Sequence, residues 1–246
     1  MIVARSNPFS AGLCLYAAGS IVAVSVGALG QLGFARPASA GVALVVFAAI
    51  VFLVLLALRR NGMATFGPAN AVTLMRAVLA SLIAGLTCES LYGTSANTSF
   101  IALVLVMAGV AVATDAVDGW IARRSGMVSS FGARFDMETD ALLILILSVL
   151  AWSLGQAGFW IIAAGLMRYA FQLAGWRWPV LAAPLPPSRR RKLICAVQTT
   201  GLMIMLVVST PLSHAIGAIT LGLLASSFAM DILWLTRHQP LSVPSS

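Results

Sequence analysis

Eight apolar stretches follow one another along this chain with only short connectors between them, near residues 10–34, 40–58, 70–87, 100–122, 134–155, 158–176, 193–212 and 216–236. About 20 apolar residues carry a helix across the hydrocarbon core of a bilayer. There, every backbone group must be satisfied within a helix or a closed barrel. The runs are long and continuous, not short and alternating, which sets the β-barrel aside. The chain therefore reads as an all-α polytopic membrane protein of about eight helices. Composition agrees: 60% of residues are hydrophobic and 9% charged, against about 45–50% and about 25% in soluble domains. With a mean hydropathy of +0.99, a soluble single-domain enzyme, a disordered chain and a collagen-like chain are all excluded.

The net charge of +8 comes from 15 basic and 7 acidic residues. Twelve of the 15 basic residues lie at 5, 59–60, 123–124, 134, 177, 189–192 and 237, all on one side if the chain starts in the cytoplasm. Arg36 lands opposite, while Arg76 and Arg168 fall inside spans. Positively charged connectors stay inside, so both termini are expected in the cytoplasm, in an inner or plasma membrane. The positive charge then belongs to connectors, with no nucleic-acid partner. Arg5, the first apolar run and Ala38-Ser39-Ala40 also fit a signal peptide. The run exceeds the usual 7–15 residues, however, so an uncleaved first helix is expected; cleavage would leave the topology of the rest unchanged. Cys14, Cys88 and Cys195 lack ligand spacing, and the two histidines, His214 and His238, flank the last helix. Neither a disulfide framework nor a histidine-based catalytic machine is expected.

Five of the seven acids crowd into 26 positions: Asp115, Asp118, Asp136, Glu138 and Asp140. Carboxylates in or beside a membrane helix cost about 2.5–3.5 kcal/mol each on insertion scales and need partners. At about 100° per residue, Asp115, Asp118, Gly119 and Ala122 share one helix face, and Gly132, Asp136 and Asp140 share another. Glu138 lies behind, one i+4 step from Arg134, and reads as its ion-pair partner. A short connector makes these two helices antiparallel neighbours, so four aspartates can face one another. Four repelling carboxylates suit hard, compact cations, Mg²⁺ or Mn²⁺. Two ions would balance the charge and form the usual clamp for displacement at phosphorus. The small residues fit either helix packing or the close approach of a nucleotide.

The stretch Asp115-x2-Asp118-Gly119-x2-Ala122-Arg123-x8-Gly132-x3-Asp136-x3-Asp140 resembles the signature of the CDP-alcohol phosphatidyltransferase family at every fixed position. Asn70-x2-Thr73-x2-Arg76 is similar to the opening of the family's first core helix. The resemblance implies a six-helix core over 61–237, preceded by a two-helix membrane extension over 1–60 and followed by a polar tail over 238–246. It implies a phosphatidyl group moving from CDP-diacylglycerol to the hydroxyl of a small polar alcohol, with release of CMP. It also implies roles. Asp115, Asp118, Asp136 and Asp140 would bind two metal ions, Asp140 also serving as the base. Asn70, Thr73, Gly119, Ala122, Arg123, Ser129 and Gly132 would contact the CDP moiety. Related enzymes are often homodimers, an assembly that the residues themselves leave open, and membrane lipids are the remaining partners.

Ser188-Arg189-Arg190-Arg191-Lys192 with Gln198 resembles the G-K-x-K-T-x2-Q segment of phosphatidylglycerophosphate synthases. Arg191 stands for the Gly, Ile194 for the second Lys and Cys195 for the Thr. The cluster reads equally as a basic stop-transfer segment that attracts anionic lipid. Arg168, Arg177, Arg191 and Lys192 are the expected acceptor-binding residues and favour a phosphorylated acceptor. Two alternatives stand beside this reading. One is a transferase using a soluble CDP-alcohol and a lipid hydroxyl; the other, of a different class, is a cation-coupled transporter whose acids form the ion site.

Overall fold

The computed structural model describes residues 8–60, 68–93, 97–125, 130–183, 185 and 188–238, with the backbone alone at 8–10, 60, 68–69, 115–125, 130, 182 and 189. Among the described residues there are eight α-helices and no strand. They are α1 (Pro8–Gln31), α2 (Pro37–Arg60), α3 (Pro68–Leu91), α4 (Thr98–Ser125), α5 (Ser130–Ser153), α6 (Ile162–Arg177), α7 (Arg189–Met205) and α8 (Thr210–His238). Single 3₁₀ turns lie at Phe159–Ile161 and Pro179–Ala182.

Local chemistry explains the boundaries. The first three helices open on Pro8, Pro37 and Pro68, where a missing N–H costs nothing and φ is already helical. Three stop on a left-handed glycine, Gly33 (φ 78°), Gly93 (φ 76°) and Gly155 (φ 69°). At Gly155 the closing pair is Gln156 N–H to Ala151 O at 2.9 Å and Gly155 N–H to Trp152 O at 3.0 Å, the Schellman arrangement that caps orphan carbonyls. The apolar run 193–212 does not form one span as expected, because α7 stops at Met205 and α8 begins at Thr210. Pro211 cannot continue an incoming helix. The last turn of α7 tightens instead, with Leu206 N–H to Met203 O at 3.2 Å and Val207 N–H to Ile204 O at 3.1 Å.

Among the described residues, α1, α2, α3 and α8 are long and apolar enough to cross a membrane, and α4 is apolar over Thr98–Thr114. The others fall short for visible reasons. α5 carries Arg134, Asp136, Glu138 and Asp140 in its first half, and α6 and α7 have only 16 and 17 residues. The protein is an all-helical polytopic membrane protein.

Contacts divide the chain into two units, residues 1–146 and 147–246, with the boundary inside α5. In the first unit α3 is the central helix: α1, α2 and α4 all pack on it. Of its span 78% is buried, against 17, 22 and 28% for α1, α2 and α8. Its polar side chains are satisfied locally, Ser81 and Thr87 donating to the carbonyls of Ala77 and Ile83 at 2.8 Å. This i−4 bonding lets hydroxyls sit in an apolar helix. Near its end Glu89 is buried and accepts hydrogen bonds from the Arg36 N–H and the Ser39 hydroxyl, with Arg36 Nε 3.6 Å away. A carboxylate from α3 thereby caps the positive end of α2. In the second unit α7 crosses α8 closely at Gly201 against Thr220, and Gly217 of α8 faces Met205, Trp160 and Ile161. The Ser213 hydroxyl of α8 donates to the Gln156 carbonyl.

The α2–α3 crossing depends on Gly85, where a Cβ would lie 2.8 Å from the Ser39 carbonyl oxygen and 3.1 Å from the Ala43 Cβ. Backbone cannot move aside as a side-chain tip can. Gly85→Val is expected to destabilise the protein by about 1–3 kcal/mol through overpacking. Gly27→Ala, with open space around it, should change little. Thermal unfolding of the two variants in detergent checks this.

Candidate active site

Arg76 is a buried charge in the first unit. It lies in α3 and is 2% exposed, in a largely apolar helix. By helical rise it sits about 12 Å past the start of α3, while Asp136 and Asp140 sit about 9 and 15 Å past the start of α5. The Arg76 fork spans the two carboxylates: Nη1 lies 2.5 Å from Asp136 Oδ1, and Nη2 pairs with Asp140 Oδ1. Asp136 and Asp140 are one turn apart, as the i, i+4 spacing requires, and their side chains are 21% and 26% exposed. They remain reachable while the guanidinium beneath them is sealed. A planar two-donor fork suits this task better than a lysine ammonium would.

Asn70 and Thr73 precede Arg76 at i−6 and i−3 on α3 and are both buried. Each makes further polar contacts, as Arg76 and Gly132 also do. Gly132 lies in the first turn of α5, half-buried. Asp115, Asp118, Gly119, Ala122 and Arg123 all lie within α4, whose helix runs unbroken to Ser125. That continuity is the condition for their expected common face, although their side chains lie outside the described residues, as does Ser129 altogether. Among the described residues no three His, Cys, Asp or Glu side chains converge, the other half of the expected aspartate set being undescribed. Of the expected Arg134–Glu138 pair, Arg134 is exposed to solvent, and Glu138 is half-buried and makes a polar or electrostatic contact.

The expected acceptor residues belong to the second unit. Arg168 is half-buried in α6 and makes polar or electrostatic contacts of its own. Arg177, the last residue of α6, is exposed and lies 5.9 Å from the centre of the Trp178 ring. Arg191 is 3.4 Å from Asp231 Oδ1 of α8, and Arg190 Nη2 is 2.6 Å from the same oxygen. Lys192 points outward from α7. The basic cluster thus has an internal anchor, Asp231, which the sequence reading did not assign. Gln198, on α7, is fully buried with neither amide atom hydrogen-bonded.

Asp231→Ala removes the carboxylate that holds two guanidinium groups against α8. The variant is expected to lose about 1–3 kcal/mol, the cost of stranding part-buried donors. Lys192→Ala, altering only an exposed side chain, should leave the unfolding temperature nearly unchanged.

Comparison with known proteins adds three findings. A family model described as CDP-alcohol phosphatidyltransferase matches residues 66–226, a span that opens just before α3 and closes within α8. A CDP-diacylglycerol–inositol 3-phosphatidyltransferase 1 from Arabidopsis thaliana is 60% identical over 38 residues, which are 14% of this chain and 17% of that protein. The chain therefore matches well under two thirds of that relative's length. No solved structure matches. The family match covers most of the chain and contains the whole aspartate motif, so this protein belongs to the CDP-alcohol phosphatidyltransferase family.

Proposed function

We propose that the protein transfers a phosphatidyl group from CDP-diacylglycerol to the hydroxyl of a small polar alcohol and releases CMP. One observation carries the reading: Asp136 and Asp140, one turn apart on α5, converge on a single cationic group within a chain of this family. Carboxylate oxygens that already share one cation have the chemistry and the spacing to share another. Asp115, Asp118, Asp136 and Asp140 would hold two Mg²⁺ or Mn²⁺ ions. Once bound, such ions would offset the charge of the pyrophosphate and of the pentacoordinate phosphorus.

The chain's own residues do the rest. The acceptor oxygen forms a bond to the β-phosphorus as the bond to the CMP oxygen breaks. Asp140, deeper along α5 than Asp136, takes the proton released by the attacking hydroxyl. Asn70 and Thr73 donate from α3 to the CDP moiety. Gly119, Ala122 and Gly132 leave room for it beside the helix backbone, Arg123 binds its pyrophosphate, and Ser129 contacts the same CDP moiety. Arg168, Arg177, Arg191 and Lys192 bind the acceptor, and favour one that carries a phosphate. The core over 61–237 carries the reaction on the cytoplasmic side of an inner or plasma membrane, residues 1–60 being an extension packed on α3. Assembly as a homodimer belongs to the same proposal.

CMP release from CDP-diacylglycerol by the purified full chain tests this reading, with inositol, glycerol 3-phosphate, inositol phosphate and serine offered in turn. Inositol belongs in the panel because the plant relative is named for it. Release is expected with Mg²⁺ or Mn²⁺ and not in excess chelator; undiminished release with verified metal removal contradicts the metal reading. Release only from a soluble CDP-alcohol with a lipid hydroxyl would establish the alternative transferase instead. Asp136→Asn is expected to abolish turnover. Asp140→Asn should keep nucleotide binding while losing about 10²–10⁴-fold in rate, the usual share of a general base. Glu138→Gln should keep most activity.

A further inference from the structure

Arg76 has no part in the proposed chemistry, yet it holds two of the residues that do. A guanidinium inside a membrane-spanning helix is retained only where acids or carbonyls compensate it. Here the compensating groups include the carboxylates of Asp136 and Asp140, each through Oδ1. A divalent cation at this site would draw on the same two carboxylates. A singly charged guanidinium and a doubly charged ion cannot both keep them at full strength, since like charges a few ångströms apart repel strongly in a low-dielectric site. The exposures sort the competitors: Arg76 is sealed beneath the carboxylates at 2%, whereas Asp136 and Asp140 open outward at 21% and 26%. An ion can therefore approach from the open side without first displacing the arginine.

We propose that Arg76 is a counter-ion in competition with metal: it pairs with Asp136 and Asp140, and its hold on the two carboxylates would weaken as a divalent cation enters. It is a positioning residue that sets how tightly the site holds metal. The proposal rests on the metal reading given above. Without the arginine, the two carboxylates would repel each other and await a cation more strongly. Metal affinity should then rise while the stability of the metal-free protein falls. A merely structural arginine would give the opposite sign, its loss loosening the site and weakening metal binding.

The test is a titration of the full-length protein in detergent with Mn²⁺ alone, free Mn²⁺ being followed by electron paramagnetic resonance. Arg76→Met is expected to bind Mn²⁺ about tenfold or more tightly than wild type, from loss of the opposing charge. Its metal-free unfolding temperature should be lower, and its rise on adding Mn²⁺ larger. Arg76→Lys keeps a cation without the bridging fork and should tighten binding by a smaller factor; it carries the test if the methionine variant does not fold. Wild-type protein that takes up no Mn²⁺ overturns the metal reading and this proposal together. Wild-type uptake with equal or weaker binding in the variants overturns the role of Arg76 and leaves the metal reading standing.

Discussion

A positive charge buried in the middle of the first unit has to be answered, and the answer organises that unit. Arg76 lies in α3, the helix on which α1, α2 and α4 pack. Its ion pairs with Asp136 and Asp140 bring α5 to the same helix. An unanswered guanidinium on a membrane helix would cost about 2.5–3.5 kcal/mol or more, a large fraction of the stability of an ordinary domain. The register between α3 and α5 is therefore constrained by electrostatics. A one-residue slip of either helix would rotate a carboxylate by about 100° away from the fork.

Glu89 states the same rule in the opposite sense at the other end of α3. It is a buried acid, answered by the Arg36 side chain, the Arg36 N–H and the Ser39 hydroxyl at the start of α2. Arg76 and Glu89 are 13 residues apart, or about 20 Å along the helix. One helix thus carries a charge of each sign near its two ends, each tied to a different neighbour. Between them lie aliphatic side chains, small residues and hydroxyls bonded to their own backbone. Gly85 lets α2 approach closely enough for the Glu89 contacts to form.

The helices and their order were legible because apolar runs, prolines and glycines are local signals. The aspartate pair on α5 was legible for the same reason, since i, i+4 spacing defines a face without knowledge of the neighbours. What could not be read was which faces meet. Arg76 to Asp136 spans 60 residues, and Arg190 to Asp231 spans 41; periodicity says nothing about either pairing. A usable signal was nevertheless present. Two acids, Glu89 and Asp231, stand outside the acidic cluster, and Arg76 stands alone within an apolar run. Each must find an opposite charge on another helix. The break at Leu206–Ser209 was hidden by an apolar run that continues through it, although Pro211 marks the place.

The most direct test of this account is a double-mutant cycle on metal-free protein, built from Arg76→Met, Asp136→Asn and the pair together, with unfolding free energies compared in one detergent. If the buried arginine is what ties α5 to α3, the two changes should couple by about 0.5–3 kcal/mol, the range for residues in one ion-pair network. Strictly additive losses would contradict it, because each side chain would then act without the other.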